Sequence, residues 1–271
     1  LCSVLTDTPE QTLWCMEQAR QVIEGGPCGG AALLGVHLEG PCLSSEYKGA
    51  MPEHLLMHTA DAELFAKYQK ASGGHVRYTT LAPEIPGVPG LIPRLNAMGI
   101  VCAMGHSGAG YDQCAACVDA GVRSVTHLGN AVEAICDGRH LHPGTVRLYL
   151  KAKGYDRVVA VTDSIMAAGL PDGSYKLGVN DVIVENGDAK LPNGVRAGST
   201  LTMAQALRNL MAFTGEGAET VSRLMTANPA RLMGWAGKGE LDVGKDADLV
   251  LLDGDYQVAR TVVGGRTVYT R

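Results

Sequence analysis

Aromatic residues are scarce in this 271-residue chain, where two Phe and two Trp leave the core to Leu, Val, Ala and Met. Positive charge is scarce as well. Lys and Arg number 23 against 28 Asp and Glu, a formal net charge of −5, which argues against a nucleic-acid binder, whose footprint is a basic domain or stripe. No apolar run approaches the ~20 residues that a membrane helix needs; residues 31–36 form one of the longest. With 19% charged and 46% hydrophobic residues, the chain is no disordered polar tract. It shows no internal repeat, no low-complexity segment and no Gly-rich stretch that reads as a nucleotide P-loop. Leu1 in place of Met points to a processed or truncated start.

Cysteine and glycine are plentiful. The eight cysteines stand at scattered positions, 2, 15, 28, 42, 102, 114, 117 and 136. A chain of this length builds a core without disulfide staples, so they read as reduced thiols of a cytosolic protein. The 35 glycines follow no three-residue period, which signals many tight turns rather than collagen.

Helical and strand-like runs alternate along the first two thirds. Thr8, Pro9 and Gln11 resemble an N-cap with a capping box, and Gly25 closes that helix. A buried strand is expected over 31–37, then helices near 60–72, 89–98, 110–120 and 143–153. Strands are expected over 75–81, 100–104, 122–126 and 157–161. Repeated units of this kind imply a parallel sheet with helical crossovers. After Asp163 the pattern changes. Asp172-Gly173, Asn186-Gly187 and Asn193-Gly194 mark β-hairpins. Helices follow near 202–214 and 217–227, the first opened by a second Thr-x-x-Gln box at Thr202 and Gln205. Extended runs at 248–253, 261–263 and 266–269, the last two flanking Gly264-Gly265, form a small β satellite. The expected organisation is a barrel over 1–236 with a hairpin insertion at about 172–196, and a satellite over 237–271.

Each expected strand runs straight into chemistry: His37 and Glu39, Glu84, His106, His127, then Asp163. A (β/α)8 barrel gathers its active site at the C-terminal ends of its strands, and unrelated core histidines have no reason to choose that end every time. Glu39, His106 and His127 make a metal set that leaves a position open for water, as catalytic zinc sites do. The same set serves a facial-triad iron oxygenase, and a lone strand-end His is often structural. Asp163 is placed to move a proton between water and a leaving group, or else is a turn or N-cap residue. Cys114-x-x-Cys117 has metal-ligand spacing but lies in a helical run without a second pair, so half-buried thiols are the better reading. His54 and His58 lack the Glu placement of a zincin.

Eight collinear segments carry a resemblance that spans nearly the whole chain. They are GVHLEGPCLSSEYKGA (35–50), TLAPE (80–84), GHSGAGYDQ (105–113), THLGNAVEA (126–134), DGRHLHP (137–143), VTDSIMAAGLPDG (161–173), AGSTLTMAQALRNL (197–210) and GELDVGKDADLVLLD (239–253). The chain resembles the N-acetylglucosamine-6-phosphate deacetylases of the amidohydrolase superfamily. That resemblance implies a (β/α)8 TIM-type barrel with a small β-sandwich, metal ligation by Glu39, His106 and His127, and Asp163 as catalytic acid and base. It implies substrate contacts at Ala50, Met51, Asn130, Ala131, His140, Arg196, Ala197 and Gly198. The implied cofactor is a divalent metal, zinc first, with iron, manganese or cobalt as alternatives, and the implied assembly is a cytoplasmic homodimer. The implied reaction is hydrolysis of N-acetylglucosamine 6-phosphate to glucosamine 6-phosphate and acetate. The galactosamine epimer as substrate and a truncated, non-catalytic sugar-phosphate-binding barrel stand as alternatives.

Three departures from the family pattern give further expectations. The first barrel strand, with a His-x-His pair found in many members, is missing. So are roughly two dozen residues between Ala134 and Ile135, which hold a phosphate-binding Arg and most of a barrel strand. Met51 stands where the family usually has a substrate-contacting His. The barrel is therefore expected to be incomplete, with exposed strand edges, and the sequence to be part of a longer chain.

Overall fold

The computed structural model describes every residue except 28 and 128–132. Five parallel strands, β1 (Cys2–Leu5), β2 (Val36–Glu39), β3 (Val76–Leu81), β4 (Val101–Met104) and β5 (Ser124–Val125), pair in chain order. Helices α1 (Pro9–Gly25), α2 (Ala62–Ala71), α3 (Val88–Ala97) and α4 (Tyr111–Asp119) supply the crossovers. Their apolar faces meet the sheet in one core that includes Met16, Leu38, Phe65, Tyr68, Ile92 and Leu95. Continuing the chain, β6 (Glu133–Ile135), α5 (Pro143–Lys153) and β7 (Val159–Val161) form a second parallel unit, with Ile135 opposite Val161. Among the described residues no ladder joins β5 to β6 or β7 to β1. Among the described residues the barrel is therefore open at these two places.

The helix signals act one-sidedly. The Thr8 hydroxyl accepts the Gln11 N–H at 3.2 Å, but the Thr8 N–H donates to Asp7 Oδ1, not to Gln11. Thr202 likewise caps through the Gln205 N–H, while the Gln205 amide turns outward to Asn209 and Arg208. Half of each expected capping box is absent because a nearer polar group takes the second bond.

Past Asp163, β8 (Gly173–Leu177), β9 (Asn180–Glu185) and β10 (Asp188–Lys190) form an antiparallel sheet. Asn186 and Gly187 both have φ > 0 at its second turn, as a two-residue primed hairpin needs. The first turn starts at Gly178, a signal that the search for Asx-Gly pairs passes over. Helices α6 (Met203–Thr214), α7 (Ala218–Val221) and α8 (Ala227–Met233) follow, with a 3-10 turn at Ser222–Leu224. The single helix expected over 217–227 is thus divided. Pro229, which has no N–H to donate, sits in the first turn of α8, where that costs nothing. Strands β11 (Leu249–Leu252), β12 (Val258–Val263) and β13 (Arg266–Thr270) make the C-terminal antiparallel sheet. The strand expected over 31–37 is shorter and later, because residues 31–35 have no regular structure. A Cβ on Gly35 would collide with Arg77 and the His75 carbonyl, so the chain there needs glycine. Strand β1, which the sequence reading did not foresee, pairs with β2 residue for residue. No helix among the described residues is long and apolar enough to cross a membrane.

Candidate metal centre and active site

Glu39 is the last residue of β2, and its side chain is buried at the strand end. His106, His127 and Asp163 each stand two residues beyond the end of a strand, β4, β5 and β7 respectively. All three adopt left-handed backbone conformations, with φ of 51°, 27° and 48°. Such conformations cost a non-glycine residue about 1–3 kcal/mol and persist only where the surroundings impose them. Here the bend turns each side chain off its strand and over the sheet end.

The Oε1 atom of Glu39 lies 3.0 Å from His106 Nε2 and 2.9 Å from His127 Nε2. One ligand atom from each residue falls within 4.8 Å of the others. His106 Nδ1 donates to the Tyr47 carbonyl at 2.8 Å, since a carbonyl only accepts. A neutral His106 ring therefore presents a lone pair at Nε2, facing a carboxylate oxygen. Either a proton on the ring or one cation among the three groups satisfies this geometry, and a divalent cation serves all three at once. The donor set fits a metal. Burial opposes the charge on Glu39, but the bonds to His106 and His127 outweigh it and hold the carboxyl well below the usual carboxylate range.

Asp163 shares the cavity with these ligands. Burial, helped by the negative charge of Glu39, pushes its carboxyl up to about 6. Its carbonyl accepts the Ser199 N–H at 2.7 Å, and Ser199 Oγ in turn donates to the Thr162 carbonyl. Gly198, at φ 59°, allows this approach: a Cβ there would stand 2.7 Å from Ile165 Cγ2 and 2.9 Å from the Asp163 carbonyl. Below the site, burial drives the His37 ring down to about 4, against the pull of Glu39.

The cavity encloses about 470 Å³, a size suited to a small ligand. Of the residues expected from the sequence, its wall brings together Glu39, Ala50, Met51, His106, His127, His140, Asp163, Arg196 and Gly198. His140 Nδ1 donates to Asp137 Oδ2 at 2.7 Å. Burial works against the Asp137 charge, but this bond and two backbone N–H groups hold its pKa down. Arg196 is held by both Asp188 oxygens, at 2.9 and 3.2 Å. Ala197 does not line the cavity. Its methyl is wholly buried with Val182, Val184 and Ala189, and its N–H donates to the Ala189 carbonyl. Alternation along the chain sends Arg196 outward and Ala197 inward. Asn130 and Ala131 lie outside the described residues.

Glu84 is a brace and not a ligand. It accepts from Ser107 Oγ at 2.6 Å and from the Gly108 N–H at 2.7 Å, fixing the loop after His106. Cys114 and Cys117 lie in or against α4, where burial pushes both thiols up, Cys117 to about 11. Leu5, Ser164, Ile165, Met166 and Leu177 line the cavity without having been foreseen. Their signal was position, directly after Asp163 or on a neighbouring strand.

A model described as the amidohydrolase family matches residues 53–268. The N-acetylglucosamine-6-phosphate deacetylase of Bacillus subtilis (strain 168) is 35% identical over 263 residues, 89% of this chain and 66% of that protein. The chain thus spans just under two thirds of that relative's length. The N-acetylgalactosamine-6-phosphate deacetylase of Escherichia coli O157:H7 is 32% identical, covering 92% of this chain and 71% of that protein. Among solved structures, a mutant N-acetyl-D-glucosamine-6-phosphate deacetylase from Mycobacterium smegmatis, in complex with N-acetyl-D-glucosamine-6-phosphate, is 35% identical. It superposes with a TM-score of 0.91 over 99% of this chain and 76% of that one.

Proposed function

The chain belongs to the amidohydrolase family, whose members are metal-dependent, and from that premise we propose that it removes the acetyl group from N-acetylglucosamine 6-phosphate, giving glucosamine 6-phosphate and acetate. The observation that carries this reading is the convergence of Glu39, His106, His127 and Asp163 on one cavity. Glu39, His106 and His127 would hold a divalent metal, zinc first, and that metal would supply Lewis-acid chemistry for the amide carbonyl and for water. Asp163 takes the proton from the attacking water and returns it to the amine nitrogen as the C–N bond breaks. His140, oriented by Asp137, and Arg196, fixed by Asp188, offer polar groups to the sugar, together with Ala50, Met51, Gly198 and, from the resemblance, Asn130 and Ala131. Ala197 supports this wall from behind.

The same reading takes residues 1–236 as the catalytic barrel, with a hairpin insertion over 172–196, and 237–271 as the satellite. It takes the protein as a cytoplasmic homodimer. The Escherichia coli relative favours a second reading, in which the substrate is the galactosamine epimer. Acetate release from both sugar phosphates, with and without a chelator, tests the activity, the choice of epimer and the metal. Release that chelation stops is expected. Activity untouched by chelation overturns the metal assignment, and no turnover with any divalent metal leaves only a binding barrel.

A further inference from the structure

A layer of polar side chains crosses the sheet directly beneath the ligands, where barrel interiors usually carry branched apolar residues. Ser3 Oγ on β1 lies 3.0 Å from His37 Nδ1 on β2. His37 Nε2 lies 2.8 Å from Thr80 Oγ1 on β3, and Thr80 Oγ1 lies 2.8 Å from Thr126 Oγ1, just past β5. Both threonines are buried. The last link skips the β4 chain, and Gly105 makes that skip possible. A Cβ on Gly105 would stand 2.8 Å from Thr80 Cγ2 and 3.0 Å from Thr126 Cβ. One strand of the layer thus contributes only a hole.

Each ligand is attached to a member of this layer. Glu39 is two residues beyond His37 and opposite Thr80 in register. His106 follows Gly105, and His127 follows Thr126. The layer runs across the strands, as the backbone ladder does, and adds side-chain links at the level where the short β5 pairs with β4 through only two residues. We propose that the Ser3–His37–Thr80–Thr126 chain is a positioning layer that holds the ends of β2 and β5, which carry Glu39 and His127, at the separation metal ligation requires, with Gly105 seating the end of β4 between them. The inference rests on the metal reading of Glu39, His106 and His127. His37 acts through Glu39 and Thr126 through His127; neither touches the metal. Partners one shell out from metal ligands typically change affinity ten- to a hundredfold.

The test is zinc affinity of the metal-stripped chain, read by competition with a chromophoric chelator, together with the visible spectrum of the cobalt-loaded form. Thr80→Val keeps the shape but removes the hydroxyl that joins His37 to Thr126. Zinc binding weakened about ten- to a hundredfold and an altered cobalt spectrum are expected. Thr80→Ser, which keeps the hydroxyl, should stay within about threefold of wild type, well short of that range. Wild-type affinity and spectrum in Thr80→Val overturn the layer's role, even if that variant melts earlier. Should Thr80→Val not fold, Ser3→Ala at the exposed end of the chain carries the test. There, zinc binding about threefold or more weaker supports the layer, as a milder form of the same effect, and unchanged affinity overturns it. Loss of zinc by Glu39→Gln alongside full binding by Thr80→Val sinks the layer and leaves the metal reading standing. Wild-type chain that takes up no zinc sinks both.

Discussion

The β1–β5 sheet and the segment from β6 to α8 hold their backbones in different ways. In the first, five parallel strands share continuous ladders, and the metal ligands ride on the strand ends. In the second, β6 and β7 are three residues each and share one short ladder, and side chains hold further carbonyls. Asn228 Nδ2 donates to the carbonyls of Tyr155 and Val158 at 2.7 and 2.6 Å. Asn209 Nδ2 donates to the Cys136 carbonyl at 2.8 Å, and Arg147 to that of Phe213 at 2.8 Å. Asp163 stands on this second segment. The ligands thus rest on long ladders with a polar layer beneath them, whereas around the acid short backbone pairings are supplemented by individual side chains, each of which can be removed alone.

The largest effect should separate the two regions by chemistry. Glu39→Gln, His106→Ala or His127→Ala should lose the metal, and turnover with it, by about a thousandfold or more. Asp163→Asn should lose about a hundred- to ten-thousandfold in turnover while keeping the metal, because Asn retains the shape but not the proton. Metal content by emission spectrometry beside acetate release decides this. An Asp163→Asn chain that loses metal and keeps activity would reverse the assignment.

Stability should separate them next. Asn228→Ala leaves the buried Val158 carbonyl and the partly buried Tyr155 carbonyl without their donor and should cost about 2–3 kcal/mol. In the laddered sheet, Thr79 Oγ1 donates to the Leu38 carbonyl at 3.0 Å, yet Thr79→Val should cost only about 1 kcal/mol, because the ladders around it remain. Urea unfolding of both variants measures the difference. Equal losses would mean that the second segment has a sturdier backbone than its short strands suggest.

This contrast also explains what could be read in advance. The helices α1 to α6 were legible because caps, Pro and Gly mark their ends and each is long enough to show periodicity. Glu39, His106, His127 and Asp163 stood out because a barrel repeats its chemistry at strand ends. Some elements were not legible: β1 and β6 lack the helix-then-strand rhythm that marked the equally short β5 and β7, and the run over 217–227 carries no Pro to show its division into α7 and a 3-10 turn. The inward turn of Ala197 depends on pairing with β10, which the sequence alone does not fix. Nor does composition reveal that His106, His127 and Asp163 need left-handed backbones, or that Glu84 serves a loop. Those follow from neighbours distant in sequence.

The smallest expected effect lies at the edge of the second region, where Arg196 meets the cavity. Both Asp188 oxygens accept from Arg196, and Lys190 Nζ lies 2.9 Å from Oδ2. The Arg196 contact first, then burial in opposition, then Lys190, leave the Asp188 carboxyl below the ordinary carboxylate range. The stabilisation is present above the unfolded value near 4 and is lost as pH falls through the lower folded value. Because Arg196 and Lys190 are partly exposed, 34% and 45%, it should amount to only about 1 kcal/mol. Asp188→Asn should therefore be less stable than wild type by about that amount at pH 6–8. Below about pH 4 the gap should close, since wild type then loses what the variant never had. Thermal melts across pH 2–8 measure it. The variant should also raise KM more than it lowers kcat, because Arg196 is freed while Asp163 and the ligands are untouched. A gap that persists unchanged at pH 2 would mean that Asp188 stabilises by packing and not by charge.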